Sequence, residues 1–124
     1  MKYFSSYIYC LSLAASSATA LVVATGNHID GNLNWSVAWK EGSSPCNEGV
    51  ASLLAPIEAN PCEHNLAADG KLYHLAYCGT DDFGLYNSIT GARIGPCKRV
   101  PDKKISCDAG YVHDYVKHWL CGDV

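Results

Sequence analysis

The chain has 124 residues, 48% of them hydrophobic, which is enough for one domain and too few for two. Nine Lys and Arg against twelve Asp and Glu leave a net charge of −3, which argues against nucleic-acid binding by the surface as a whole. Seven cysteines in so short a chain point to an oxidising compartment.

The first segment reads as a secretory leader. Lys2 supplies a positive start, an apolar run follows through Phe4, Ile8 and Leu11 to Leu13, and small residues lead to Ala18-Thr19-Ala20. The run falls short of the roughly 20 apolar residues that span a bilayer. Cleavage after Ala20, or after Ala18, is expected, and residues 1–20 are set aside from fold reasoning. The remaining 21–124 form a single domain with eight Lys and Arg against twelve Asp and Glu, net −4.

Leu21–Asn32 reads as a starting strand or a loose arm. Leu33, Trp35, Val37 and Trp39 alternate with polar or small residues, the period of a half-buried strand, which Glu41-Gly42-Ser43 ends. Ser44-Pro45 has the form of a helix start, and Val50, Leu53, Leu54 and Ile57 recur on one helical face, so a helix is predicted up to Ala55, before Pro56. Lys71–Cys78 and Phe83–Ile89 read as strands. Thr90-Gly91 is a turn, and Ala92–Ile94 a short edge strand closed by Gly95-Pro96. Tyr111, Val112, Tyr115, Val116, Trp119 and Leu120 recur at helical spacing, with Asp108 as cap and Gly122 as stop, and predict a final helix. The expected fold is α+β: a small two-layer sandwich, an antiparallel sheet of about three to five strands with both helices on one face.

Six cysteines follow the leader: Cys46, Cys62, Cys78, Cys97, Cys107 and Cys121, with 15, 15, 18, 9 and 13 residues between them. An even set in a short secreted chain predicts three disulfides, and spacing leaves all 15 connectivities open. Each bridge is expected to stabilise by roughly 2–4 kcal/mol. Without a CxxC pair, neither a zinc ribbon nor a thioredoxin-like motif is indicated.

No strong catalytic motif is present, and no metal or other cofactor is expected. His113 and His118 lie five apart, which on a helix turns their rings about 140° away from each other. Glu58, Glu63, His64 and His74 could supply an acid and a base beside Arg93, as in a small secreted ribonuclease. Arg93, Lys98, Arg99, Lys103 and Lys104 fall within twelve residues, with Asp102 alone opposing them, and make a candidate basic binding patch. Lys98-Arg99 is a dibasic pair in an expected loop, and Asn34-Trp35-Ser36 is a glycosylation sequon. The eight Tyr and three Trp are assigned mostly to the core, with a minority lining a binding face.

A leader, a mature chain near 100 residues, six spaced cysteines and no catalytic motif resemble the small cysteine-rich secreted proteins of filamentous fungi, many of them effectors in plant pathogens. The expected element order also resembles the α/β sandwich of killer-toxin-like effectors, although that fold has a further strand after its last helix and this chain ends at Val124. The resemblance implies an extracellular, protease-resistant protein that acts by binding, and a monomer without enzymatic activity is expected. It would act by binding a protein, a glycan or a membrane, a host protein first among them, and not nucleic acid. A killer toxin or antimicrobial protein, and a small secreted hydrolase, are the alternatives. No functional residue is carried over from either family.

Overall fold

A computed structural model describes residues 20–108 and 110–124; the expected leader lies, but for Ala20, outside the described residues. Among the described residues the fold is all-β, with eight strands in chain order: β1 (Val22–Asp30), β2 (Leu33–Lys40), β3 (Ser52–Pro56), β4 (Asn65–Ala68), β5 (Lys71–Ala76), β6 (Gly84–Asn87), β7 (Arg93–Cys107) and β8 (His113–Gly122). They form one antiparallel sheet in the order β3-β2-β1-β8-β7-β6-β5-β4. Chain neighbours are sheet neighbours, and β8 returns to pair with β1, so the topology is an up-and-down ring open only between β3 and β4. Across that seam the Ala67 N–H donates to Ser52 Oγ at 3.2 Å, and Lys40 pairs with Asp69 at 2.7 Å.

This corrects the expected α+β sandwich, and both predicted helices fail for physical reasons. Segment 44–51 is a chain of turns. Ser44 does cap, with its Oγ accepting the Cys46 N–H at 3.2 Å, but Asn47–Val50 closes a turn and Gly49 takes a φ of 77°. The apolar residues predicted to share a helical face part company: Leu54 enters the barrel, Val50 packs outside it, and Leu53 and Ile57 are exposed. The second predicted helix is β8. Its aromatic and β-branched content favours a strand. Its helical spacing is produced by a bulge, because Thr25 pairs with Trp119 while Gly26 pairs with Lys117, leaving His118 over. The extra residue puts Val116 and Trp119, three apart, on one face, as a helix would. A Cβ on Gly26 would meet the Val116 carbonyl oxygen at 1.8 Å, so the bulge requires glycine there.

The predicted short edge strand at Ala92–Ile94 continues as the 15-residue β7, through Gly95 and Pro96. β7 pairs with β6 over Arg93–Pro96 and with β8 over Cys97–Cys107. It is the corner that carries the sheet from a smaller half (β4, β5, β6 and the start of β7) into a larger half (β3, β2, β1, β8 and the rest of β7). At the corner a Cβ on Gly95 would sit 1.9 Å from the Gly122 oxygen, a closeness that only glycine permits.

Inside the ring, Val23, Ala38, Leu54, Leu66, Leu75 and Leu85 form the main core. A second cluster lies outside the larger half, where Ala24, Val37, Trp39 and Tyr115 are roofed by Cys46, Val50 and Ala51 of the β2–β3 loop. The six cysteines form three disulfides: Cys46–Cys107 ties that roof to β7, Cys62–Cys78 joins the β3–β4 and β5–β6 loops, and Cys97–Cys121 bridges a paired position of β7 and β8.

Candidate functional site

The cleft follows from the corner. After Pro96 β7 leaves β6, and the space between them is walled by the β5–β6 loop. A cleft of about 630 Å³ opens there, lined by Pro61, Thr80, Asp81, Phe83 and Trp119 together with the half-cystines Cys78 and Cys97. Phe83 and Trp119 meet edge to face, centroids 5.2 Å apart and planes at 84°. The bridges of Cys78 to Cys62 and of Cys97 to Cys121 fix two walls of the cleft, so its shape does not depend on loop packing alone. A smaller cavity of about 130 Å³ shares Pro61, Phe83 and Trp119 and continues toward Thr25, Asn27, Ser36 and His118. The buried Thr25 hydroxyl is satisfied by donating to the Val37 carbonyl at 2.8 Å.

A polar relay stands at the edge of this cavity. It exists because two irregularities face each other: Val100, Pro101 and Asp102 bulge from β7 opposite the extra residue His118 of β8. Asp102 Oδ1 lies 2.7 Å from His118 Nδ1 and 2.8 Å from the Arg99 guanidinium, and His118 Nε2 lies 3.0 Å from Asn27 Nδ2. Asn27 Nδ2 can only donate, so Nε2 accepts and Nδ1–H donates to Asp102. The hydrogen bond from His118, then that from Arg99, hold the exposed Asp102 carboxyl below its ordinary range. Arg99 also donates to the His118 carbonyl at 2.7 Å and lies 5.7 Å from the Trp119 ring centre. The relay therefore positions Trp119 at the cleft; with both ring nitrogens of His118 engaged, it offers no free base.

The structure divides the predicted basic patch. Arg93 lies on the part of β7 paired with β6, whereas Lys98, Arg99, Lys103 and Lys104 lie on the part paired with β8. Lys104 reaches Asp114 at 3.6 Å and Arg99 is held by Asp102, leaving Lys98 and Lys103 as the unpaired cations of that stretch among the described residues. The expected loop around Lys98-Arg99 is a strand, with those residues opposite Leu120 and Trp119. Asn34, of the sequon, is half-buried in β2 opposite Ile29, and its Oδ1 accepts no hydrogen bond among the described residues.

Of the acid and base candidates, Glu63 and His74 come together at 3.8 Å, whereas Glu58 and His64 are simply exposed. His113 and His118 do not meet, and the helical angle between them does not apply on β8. His113 Nδ1 pairs with His28 Nε2 at 2.7 Å, and His28 stacks on Tyr115 with centroids 4.5 Å apart. Burial, then the neighbouring His113, push the His28 pKa down. Burial likewise raises that of Tyr115. No group of three or more His, Cys, Asp or Glu among the described residues could hold a metal ion. Sequence reasoning missed the relay, because nothing in the order of residues reveals that two bulges face each other. No protein-family model, no curated protein and no solved structure matches the chain.

Proposed function

We propose that the chain is a secreted, non-enzymatic, effector-type protein that binds an extracellular host protein through the cleft at the β7 corner. Three disulfides in a domain of this size are typical of extracellular proteins. The observation that carries the reading is the cleft itself: an aromatic floor of Phe83 and Trp119, a polar rim of Thr80 and Asp81, and walls cross-linked in advance. Preorganised walls lower the ordering cost of binding, and an aromatic floor with a polar rim suits a protein side chain with an apolar body.

The test is a binding screen of the purified protein against arrayed extracellular plant proteins, repeated with Thr80→Arg and Asp81→Arg. Both replacements are at exposed positions and fill the rim without touching the core. A partner whose affinity falls at least about tenfold in both variants supports the reading. Partners indifferent to both, or none at all, overturn it. Growth inhibition of yeast or bacteria lost in the same variants would favour the killer-toxin alternative instead. Turnover of RNA or polysaccharide abolished by His74→Ala would favour the hydrolase.

A further inference from the structure

The outer face of the smaller half-sheet carries a second constellation, and its placement is strained. Glu63 and Tyr77 are two of only three non-glycine residues described with positive φ, at 69° and 60°. Each adjoins one end of the Cys62–Cys78 bridge, and each is aimed at the same stack. Glu63 Oε2 lies 3.8 Å from His74 Nε2, Tyr77 packs edge-on to Tyr86 at 5.8 Å, and His74 and Tyr86 stack at 6.0 Å. Left-handed backbone at residues of this size costs of order 1–3 kcal/mol each and marks places where side-chain position matters.

The register extends the group into a row. Asn65 pairs with His74, His74 with Tyr86, and Tyr86 with Arg93, one residue on each of four adjacent strands. Neighbouring strands lie about 4.8 Å apart, so the row is about 14 Å long. Arg93 is exposed and forms no ion pair among the described residues, and its guanidinium lies over Gly84, where a Cβ would approach within 3.4 Å of Nε. Tyr77 is 58% exposed.

Hydrogen bonding defines what the row can take. Ser88 Oγ donates to Asn65 Oδ1 at 2.8 Å, so at 2.8 Å it receives the Nδ1–H of His74. In the neutral imidazole that leaves His74 Nε2 and the Glu63 carboxylate as two acceptors 3.8 Å apart, with no proton between them to share. Two adjacent acceptors match two adjacent hydroxyl donors and repel a phosphate or carboxylate. Arg93, further along the row, disfavours a cation and supplies donors for hydroxyl or ring oxygens. Tyr77 and Tyr86 offer flat apolar surface between these polar ends. We propose that this face binds a neutral oligosaccharide, with vicinal hydroxyls on His74 and Glu63, a pyranose face on Tyr77 and the next sugar toward Arg93.

The experiment is titration calorimetry of the full-length secreted protein with cellohexaose and the N-acetylglucosamine hexamer, alongside inorganic phosphate, a heparin hexasaccharide and a lysine-rich peptide. One or both neutral hexamers should bind. Tyr77→Ala, Glu63→Gln and Arg93→Gln should each weaken binding about tenfold while leaving the melting curve in place, because all three side chains are exposed. Asp81→Arg in the cleft, at an exposed position, should leave it unchanged, which separates this site from the proposed protein-binding cleft. Absence of binding by both neutral hexamers, binding that survives Tyr77→Ala and Glu63→Gln in folded protein, or preference for phosphate, heparin or the basic peptide would overturn the proposal.

Discussion

The two halves of the ring solve the same problem differently. The larger half is covered on both faces: Val23 and Ala38 point into the barrel, while Ala24, Val37 and Trp39 lie under the β2–β3 loop. Its strands therefore carry unbroken buried runs, four residues long in both β1 and β2. The smaller half is covered on one face, and β4 alternates exposed and buried with period two. One half spends both of its faces on stability. The other keeps a face open, and it is there that the strained residues and the histidine–tyrosine stack are displayed.

The sharpest way to break this comparison is Trp39→Ala. Trp39 is 1% exposed although it lies outside the barrel, and its loss should cost about 3–5 kcal/mol in denaturant unfolding. Leu72→Ala, on the open face and 41% exposed, should change stability by no more than about 0.5 kcal/mol. Equal effects would mean that the outer cluster is not a second core.

Next in size are the disulfides. Cys46 and Cys107 are separated by 61 residues and Cys62 and Cys78 by 16. On the loop-entropy model, paired Cys→Ala replacements should cost about 4 and about 3 kcal/mol respectively. The functional order should be the reverse, since Cys62–Cys78 is flanked by Glu63 and Tyr77 and lines the cleft. Binding assays on the two double variants decide this.

Gly95→Ala should cost about 1–3 kcal/mol, because the corner must open to admit a methyl group against the Gly122 oxygen; thermal melting measures it. The smallest effect is one of pH. The His28 pKa is lowered on folding, so the unfolded chain binds its proton more readily. The stability due to His28 is complete above its unfolded value of 6.5 and is lost as pH falls through 6.5 toward the folded value. His28→Gln should flatten the fall in melting temperature over that range, and a profile unchanged by the substitution would remove His28 as its source.

The contrast also explains what the sequence could reveal. The strand at Leu33–Lys40 was legible with its bounds, and Lys71–Ala76 nearly so, because alternation survives where a strand runs without interruption. β8 was not legible, because one bulge at His118 converts a period of two into an apparent helical spacing. β3 and β4, of five and four residues, are too short to establish any period. The proximity of Glu63 and His74 could be raised as one pairing among several but not selected. What selects it is the Cys62–Cys78 bridge together with the bond from the Glu63 N–H to the Leu75 carbonyl at 2.8 Å.

The ring closes by pairing β1 with β8, the first strand with the last. During synthesis β1 and β2 emerge early, yet the other edge of β1 stays unpaired until almost the whole domain has been made. Pairing so distant along the chain slows folding, and an unpaired strand edge invites association with other chains meanwhile. Time, as much as energy, is therefore the exposure this topology must survive. Its most vulnerable species is the nearly complete chain that still lacks β8, in which Cys97 waits for Cys121.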